Sequence, residues 1–332
     1  MRLLLRLARS RWTPVAGTGI GVLLLLHSVD PVRAAAGLRH TDPRLALLGV
    51  ALTAVGVIAA VAVWGVLVRG IGHGIAWRHL TSWYLQGVFI GHVMPTAAAG
   101  DALRVVEVGR VAGHGRSLAS LAASRMSTTL AMALGGLIGA VILRSAVGIP
   151  VLAGAACYAG FMLLAWMIAL RLHGLTQLIG RRTSPLCRLV VRVASPFTDA
   201  FDALRHLPHT VVLGIAIALA GWGANLLALQ SFAASLDVHV GWSAFAVAVP
   251  LSLLASTAPI AVNGMGVREG VLIGVLARLG VDHAHAGSLA IILDLQLAPF
   301  ALLGGGLALL GRRRPRSAEL AAVAARRGRL TA

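Results

Sequence analysis

The chain has 332 residues, of which 58% are hydrophobic and only 12% are charged, and its mean hydropathy is +0.86. Soluble domains carry roughly 25% charged residues, so this composition excludes an ordinary soluble protein and indicates an integral membrane protein. The formal net charge of +18 rests on arginine, because the sequence contains no lysine. These arginines concentrate between apolar runs, where they act as topology signals and headgroup contacts, and nucleic acid is not an expected partner.

Apolar runs recur along the whole chain, and each is close to the roughly 20 residues that a membrane-spanning helix needs. Six of them lie near 13–29, 45–68, 118–143, 148–170, 209–234 and 286–310. The first is short and follows a basic flank, so it is interpreted either as a retained span or as a cleavable signal peptide. We predict an all-α, polytopic helical bundle that forms a single transmembrane domain at 1–311, followed by a basic cytoplasmic tail at 312–332.

Two further apolar stretches, near 80–94 and 243–258, each run directly into a proline. If both were full spans, the most basic connection, 171–208, would lie outside, against the tendency of arginine-rich loops to remain cytoplasmic. If each stretch instead returns to the side from which it entered, that loop and both termini become cytoplasmic. The charges therefore favour six full spans plus two re-entrant hairpins, each made of two short helices.

Each hairpin carries the same short motif, in MPTAAAGDALRVVEVGR at 94–110 and in APIAVNGMGVREG at 258–270. The aligned residues are Pro95 with Pro259, Gly100 with Gly264 and Arg104 with Arg268, at an offset of 164 residues. This offset is almost half the chain. It predicts an inverted repeat of about 45–170 and 209–310, with the two hairpins opening to opposite sides of the membrane.

The motif explains why polar residues occur beside lipid-crossing runs. Proline ends the first half-helix and glycine allows the chain to reverse, so backbone N–H and C=O groups lose their helical partners. Lipid does not tolerate such groups, which must line a protein-enclosed or watery cavity. The start of the returning half-helix favours an anion, and Arg104 and Arg268, in its first turns, have forked donors that suit phosphate.

Acidic residues near the two arginines are candidates for the same substrate site. Asp101, Arg104 and Glu107 recur every three residues and share one helical face. That face is either part of the substrate site or a solvated row of salt bridges. Glu269 would orient Arg268 or meet a cationic headgroup, whereas Arg268 could instead hold only loop carbonyl groups.

Other polar residues lie within the hairpins or deep in the spans. Asn263 would satisfy its own turn or contact the ligand, and Gly266 would help to shape the second hairpin. Arg125 and Asp294 each lie about eight residues into an apolar run, which predicts a buried ion pair between them. Such a pair is either a structural lock or a pair that exchanges partners during transport. Because the cysteines and histidines are scattered, no metal site or cofactor is predicted.

The phrases MPTAAAGDALR and PIAVNGMGVREG together resemble the lysylphosphatidylglycerol synthase transmembrane-region family, over nearly the whole chain. The most specific part is P-x4-G-x-G-x-R-E, formed by Pro259, Gly264, Gly266, Arg268 and Glu269. The resemblance implies a flippase-like lipid translocase in the bacterial inner (plasma) membrane, with both termini cytoplasmic. Its implied substrate is an anionic or aminoacylated phospholipid, or another lipid phosphate. The chain carries no soluble aminoacyl-transferase domain, so lysyl-lipid synthesis is not expected.

Two other functions fit parts of the pattern. A membrane-embedded transferase or accessory subunit, acting on a glycolipid or polyprenyl-phosphate lipid, would need carboxylates placed with a divalent metal. No aspartate-rich pair of the DxD or DDxxD kind is present. A small-ion transporter would need no lateral opening to the lipid. Expected partners of a translocase are a lipid-modifying transferase and a second copy of the chain.

Overall fold

The computed structural model describes residues 41–72, 74–94, 98–171, 195, 197–256 and 267–311. Over these ranges the chain is helical and contains no strand, which confirms the predicted all-α membrane bundle. The helices are α1 Pro43–Gly70, α2 Trp77–Val93, α3 Ala98–Ala112, α4 His114–Ile142, α5 Arg144–Ala169, α6 Pro208–Ser235, α7 Trp242–Ser256, α8 Val267–Arg278, α9 His283–Leu295 and α10 Ala298–Gly311. A short helical segment at 197–205 precedes α6.

Five helical stretches in the described part of the chain are long and apolar enough to cross a bilayer. They are α1, α4, α5, α6 and the combined stretch His283–Leu310, and they match five of the predicted spans. The remaining predicted span, 13–29, lies outside the described residues. Large apolar side chains are exposed on these helices, as lipid-facing surfaces require; they include Leu47, Ile58, Ile149, Phe161, Met167, Val212, Leu302 and Leu309.

The last predicted span is interrupted in the structure. α9 ends at Leu295, and α10 begins only at Ala298. Pro299 lacks the N–H group that would bond to the Leu295 carbonyl, and this missing bond accounts for the break. Gln296 lies in the turn between the helices, where its Oε1 accepts a 3.4 Å hydrogen bond from Thr53 of α1.

α1 and α6 form an antiparallel pair within the bundle. The backbone N–H of Asp42, which caps the start of α1, donates to the carbonyl of Ser235 at the end of α6 (2.9 Å). Near the middle of the pair, a Cβ on Gly221 would lie only 2.6 Å from the Cβ of Ala59. Small residues at this crossing let the two backbones approach closely, as is common in membrane helix packing.

Two pairs of short helices pack beside α1 and α6. α2 (17 residues) packs on α3 (15 residues), and α7 (15 residues) packs on α8 (12 residues). At 1.5 Å per residue these helices are roughly 18–26 Å long, shorter than the roughly 30 Å hydrocarbon core. α2 also packs on α10 and α7 on α4, at glycines that leave no side chain between the helices: Gly304 against Leu85, and Gly139 against Ser243.

The helices recur in the same order at a nearly constant spacing. α1 and α6 begin at Pro43 and Pro208, and α2 and α7 begin at Trp77 and Trp242, so both pairs are 165 residues apart. The starts of α3 and α8, at 98 and 267, are 169 residues apart, as are those of α4 and α9, at 114 and 283. Each series therefore runs long, short, short, long, with the break before α10 in the second.

Candidate functional site

The first charged group lies where α3 folds back against α2. Gly87 of α2 and Gly100 of α3 meet at this contact, and a Cβ on Gly100 would overlap the carbonyl oxygen of Gly87. Gly100 lies inside α3, so it provides close packing of two short helices, whereas the sequence pattern assigned it to the chain reversal. This close packing brings Arg104 of α3 beside Tyr84 of α2.

Arg104 is almost wholly enclosed, with 7% of its surface exposed. Its guanidinium carbon lies 3.9 Å from the centroid of the Tyr84 ring, in a cation–π contact. Nη1 donates to Asp101 Oδ1 at 3.1 Å, and Nη2 donates to the carbonyl oxygen of Tyr84 at 3.5 Å. Nε has no hydrogen-bond partner among the described residues. The side chain is thus held in place while one of its donors remains available.

Asp101 connects α3 to α4 through Arg125. Arg125 Nε donates to Asp101 Oδ2 at 3.0 Å, and its Nη2 donates to the two carboxylate oxygens at 2.7 and 2.8 Å. Arg104 shares the same carboxylate. Because one carboxylate faces two guanidinium groups, this group of three carries a formal net charge of +1.

A pocket of about 280 Å³ opens beside the first charged group. Residues of α1, α2, α3 and α4 line it, among them Trp64, Tyr84, Arg104, Ser124 and Arg125. Trp64 is only 2% exposed, and its indole Nε1 has no hydrogen-bond partner within the described ranges. The pocket therefore lies between aromatic walls and two guanidinium groups, and none of its lining residues is acidic.

Glu107 lies one turn beyond Arg104 in α3 but pairs with a different cation. Arg110 Nη1 donates to Glu107 Oε1 at 3.0 Å, and Glu107 itself is buried. The predicted charged face of α3 is therefore divided, since Asp101 binds Arg104 and Arg125 whereas Glu107 binds Arg110. The Glu107–Arg110 pair has no net charge and leaves the charge of the pocket unchanged.

The second charged group connects α8 to α9. Arg268 Nη2 donates to Asp294 Oδ1, while Arg268 Nε makes no hydrogen bond to a described residue and lies 3.8 Å from Glu269 Oε1. Glu269 is 5% exposed, so its charge sits in a poorly solvated place. Two carboxylates beside one guanidinium give this group a formal net charge of −1, opposite to that of the first group.

The predicted ion pair between Arg125 and Asp294 is wrong. Arg125 binds Asp101, and Asp294 binds Arg268. The physical reason is proximity, because α3 packs directly on α4 and α8 packs on α9, so each charge meets a partner on the helix next to its own. Depth within an apolar run, on which the prediction was based, does not determine which helices are neighbours.

Five residues of the predicted hairpins lie outside the described residues: Pro95, Pro259, Asn263, Gly264 and Gly266. Their roles in turn formation and ligand contact therefore stay predictions. The short helices that flank them are described, and in each hairpin the two helices pack against each other.

The sequence reasoning missed the aromatic side chains of the pocket. Trp64 lies within an apolar run, where an aromatic residue ordinarily indicates simple packing. Tyr84 carried a usable signal, because folding 77–93 back on 98–112 near residue 95 places position 84 opposite position 104. A hairpin register would therefore have indicated the cation–π contact.

The fold and these groups define a multi-pass α-helical membrane protein with ion-paired charges and a polar pocket among its helices. Ionisable residues are costly within a membrane and mark functional sites by default. A family profile described as "Lysylphosphatidylglycerol synthase TM region" matches residues 11–318. The chain belongs to this family of lipid-related membrane domains, as the resemblance implied. No curated protein matches the chain in sequence.

Proposed function

We propose that the chain is a lipid translocase that moves a phosphate-containing polar lipid between the two leaflets of the membrane. The observation that carries the proposal is a pocket lined by two guanidinium groups inside a multi-pass bundle of a lipid-related family. Forked arginine donors bind phosphate strongly where water is scarce. A headgroup held by such donors is shielded from the acyl chains while it crosses.

Two halves of opposite orientation would give this translocase alternating access. The recurrence of helix starts at spacings of 165 and 169 residues supports such a repeat, as does the antiparallel packing of α1 on α6. In this scheme the α2–α3 and α7–α8 pairs are re-entrant hairpins that enter from opposite sides. Rocking one half against the other then exposes the headgroup to each side in turn.

Arg104 and Arg268 hold the same position in the repeated motif, and we assign each to the phosphate in one access state. Asp101, Glu107 and Glu269 balance the arginine charges or contact a cationic part of the headgroup. Asn263, in the turn of the second hairpin, contributes a further polar contact to the headgroup.

The proposed location is the bacterial inner (plasma) membrane, with both termini in the cytoplasm. The 171–208 loop supports this orientation, since it carries six arginines (Arg171, Arg181, Arg182, Arg188, Arg192 and Arg205). A Val190→Cys variant, made without the native cysteines Cys157 and Cys187, should react with an impermeant maleimide only from the cytoplasmic side. Labelling only from outside would overturn the orientation.

Reconstitution tests the translocase directly. Purified protein is placed in liposomes that contain phosphatidylglycerol with a fluorophore on its acyl chain, and dithionite bleaches the outer leaflet. Translocation lets dithionite bleach the inner-leaflet fraction as well. Arg104→Gln and Arg268→Gln should abolish this second phase. Arg116→Gln and Arg278→Gln are the matched controls, because these arginines are exposed on α4 and α8, and they should keep wild-type rates.

Two results would refute the proposal. One is the absence of an inner-leaflet phase with the wild-type protein, and the other is a wild-type rate in both Arg104→Gln and Arg268→Gln. Mass spectrometry of the recovered lipid separates the alternative, because a transferase would leave a covalently altered lipid and a translocase would not.

A further inference from the structure

We propose that the pocket between α1, α2, α3 and α4 binds one phosphodiester monoanion, with Trp64 and Arg125 as ligands beside Arg104. This inference rests on the proposed translocase function. It adds the charge state of the headgroup and two ligands that the repeated motif does not contain.

Unpaired donors point to a bound acceptor in this pocket. Arg104 Nε and Trp64 Nε1 are buried without a hydrogen-bond partner among the described residues, and both side chains line the same pocket. Both residues are more than nine-tenths buried. Folded proteins satisfy the great majority of buried N–H groups, so two unsatisfied donors beside one pocket indicate an oxygen acceptor there.

Two other indole N–H groups are also unpaired, but their surroundings differ. Trp166 and Trp222 lie in or against an apolar cluster of α1, α4, α5 and α6. Trp64, by contrast, shares its pocket with Arg104 and Arg125. The combination of an unpaired indole donor with two guanidinium groups is what selects an anion.

The charge of the pocket selects a single negative charge. Asp101 neutralises one of the two arginines, which leaves +1, and the Glu107–Arg110 pair adds nothing. A phosphodiester carries one negative charge and makes the site neutral. A phosphomonoester dianion would leave an excess negative charge, and an uncharged headgroup would leave the excess positive charge, both of which are unfavourable with little water.

The exposure of the two arginines gives the site a direction. Arg104 lies at the enclosed end, with 8% of its side chain exposed, while the Arg125 side chain is 56% exposed. A lipid phosphate that enters between helices would therefore meet Arg125 first and Arg104 last. Asp101, which both arginines share, keeps them in place before the lipid arrives.

The second charged group offers no equivalent site in this state. Arg268 lies beside two carboxylates, Asp294 and Glu269, and the group is already negative. Adding a phosphate would bring a third negative charge to one guanidinium. The two arginines of the repeated motif are therefore unequal here, and the anion belongs to the half that contains Arg104.

Equilibrium binding to the purified full-length protein in detergent tests this site without requiring translocation. The probes are dioctanoyl-phosphatidylglycerol, dioctanoyl-phosphatidic acid at mildly alkaline pH, uncharged dioctanoylglycerol and soluble glycerophosphoglycerol. We expect the phosphatidylglycerol probe to bind about 10-fold more tightly than the others, since one charge-assisted hydrogen bond corresponds to roughly that ratio. Arg104→Gln and Arg125→Gln should each weaken its binding about 10-fold or more, and Trp64→Phe about 3- to 10-fold. Arg116→Gln is the control and should bind normally.

Three results would overturn the site. They are unchanged affinity in Arg125→Gln and Trp64→Phe, binding of phosphatidic acid as tight as that of phosphatidylglycerol, and binding of soluble glycerophosphoglycerol as tight as that of the lipid. The third would assign the pocket to a free phosphodiester. Trp64→Phe keeps the test valid if Arg125→Gln is unstable, because Trp64 takes no part in the ion pairs. A wild-type protein that binds but does not move lipid contradicts the proposed function alone, whereas translocation that is unaffected in both variants contradicts the site alone.

Discussion

Replacing Arg125 tests the ion pair that joins α3 to α4. Arg125→Gln removes three hydrogen bonds to Asp101, of 2.7, 2.8 and 3.0 Å. A hydrogen bond to a charged group contributes about 1.5–3 kcal/mol in buried sites. The Arg125 side chain is 56% exposed, and interhelical hydrogen bonds in membrane proteins average only about 0.6 kcal/mol. We therefore expect a coupling free energy of about 1–2 kcal/mol between Arg125 and Asp101.

A double-mutant cycle measures this coupling. The free energy of unfolding is determined in mixed detergent for Arg125→Gln, Asp101→Asn and the double variant, with Arg116→Gln as a surface control that should change it by less than about 0.5 kcal/mol. A second cycle pairs Arg125→Gln with Asp294→Asn and should be additive, because Asp294 binds Arg268. Coupling below about 0.3 kcal/mol in the first cycle, or larger coupling in the second than in the first, would refute the pairing seen in the structure.

Three other changes give separate tests. Gly100→Ala should lower the free energy of unfolding by about 1–3 kcal/mol because its Cβ overlaps the Gly87 carbonyl; Gly270→Ala, where the space is open, should change it by less than about 0.5 kcal/mol, and equal effects would contradict this packing. Asp282→Ala should cost about 1 kcal/mol at the start of α9, where Asp282 caps the helix, and should speed hydrogen exchange of the first-turn amides. A hydrogen bond with His285 lowers the pKa of Asp282, so the cap stabilises α9 at neutral pH and is lost as the pH falls through that lowered value. Amide protection in α9 that is unchanged well below that pKa would contradict the last expectation.

The spans could be predicted from the sequence because lipid imposes a strict length and composition on each of them. The run predicted at 45–68 is the helix Pro43–Gly70, and the run predicted at 209–234 is Pro208–Ser235. The break before α10 was missed because Pro299 lies within an otherwise uniform apolar run. A proline near the middle of a span is compatible with either a kink or an interruption, and the choice depends on what the neighbouring helices supply.

The candidate site could be predicted only as far as local spacing reaches. The three-residue step from Asp101 to Arg104 gives a contact within one helix, and the structure contains it. The contact of Asp101 with Arg125 depends on how two helices lie together, which periodicity does not encode. Trp64 was missed for the same reason, because its place in the pocket depends on α1 packing beside α2 and α3.

The short chain distance within each ion pair has a consequence for membrane insertion. Only 24 residues separate Asp101 from Arg125, and 26 separate Arg268 from Asp294. A lone charge at the centre of a helix costs roughly 2.5–3.5 kcal/mol during insertion. Because the partners leave the ribosome within a few seconds of each other, each pair can neutralise before the other half of the chain has been made. The nascent protein therefore passes through the translocon as two units, each of which brings its own counter-ion into the bilayer.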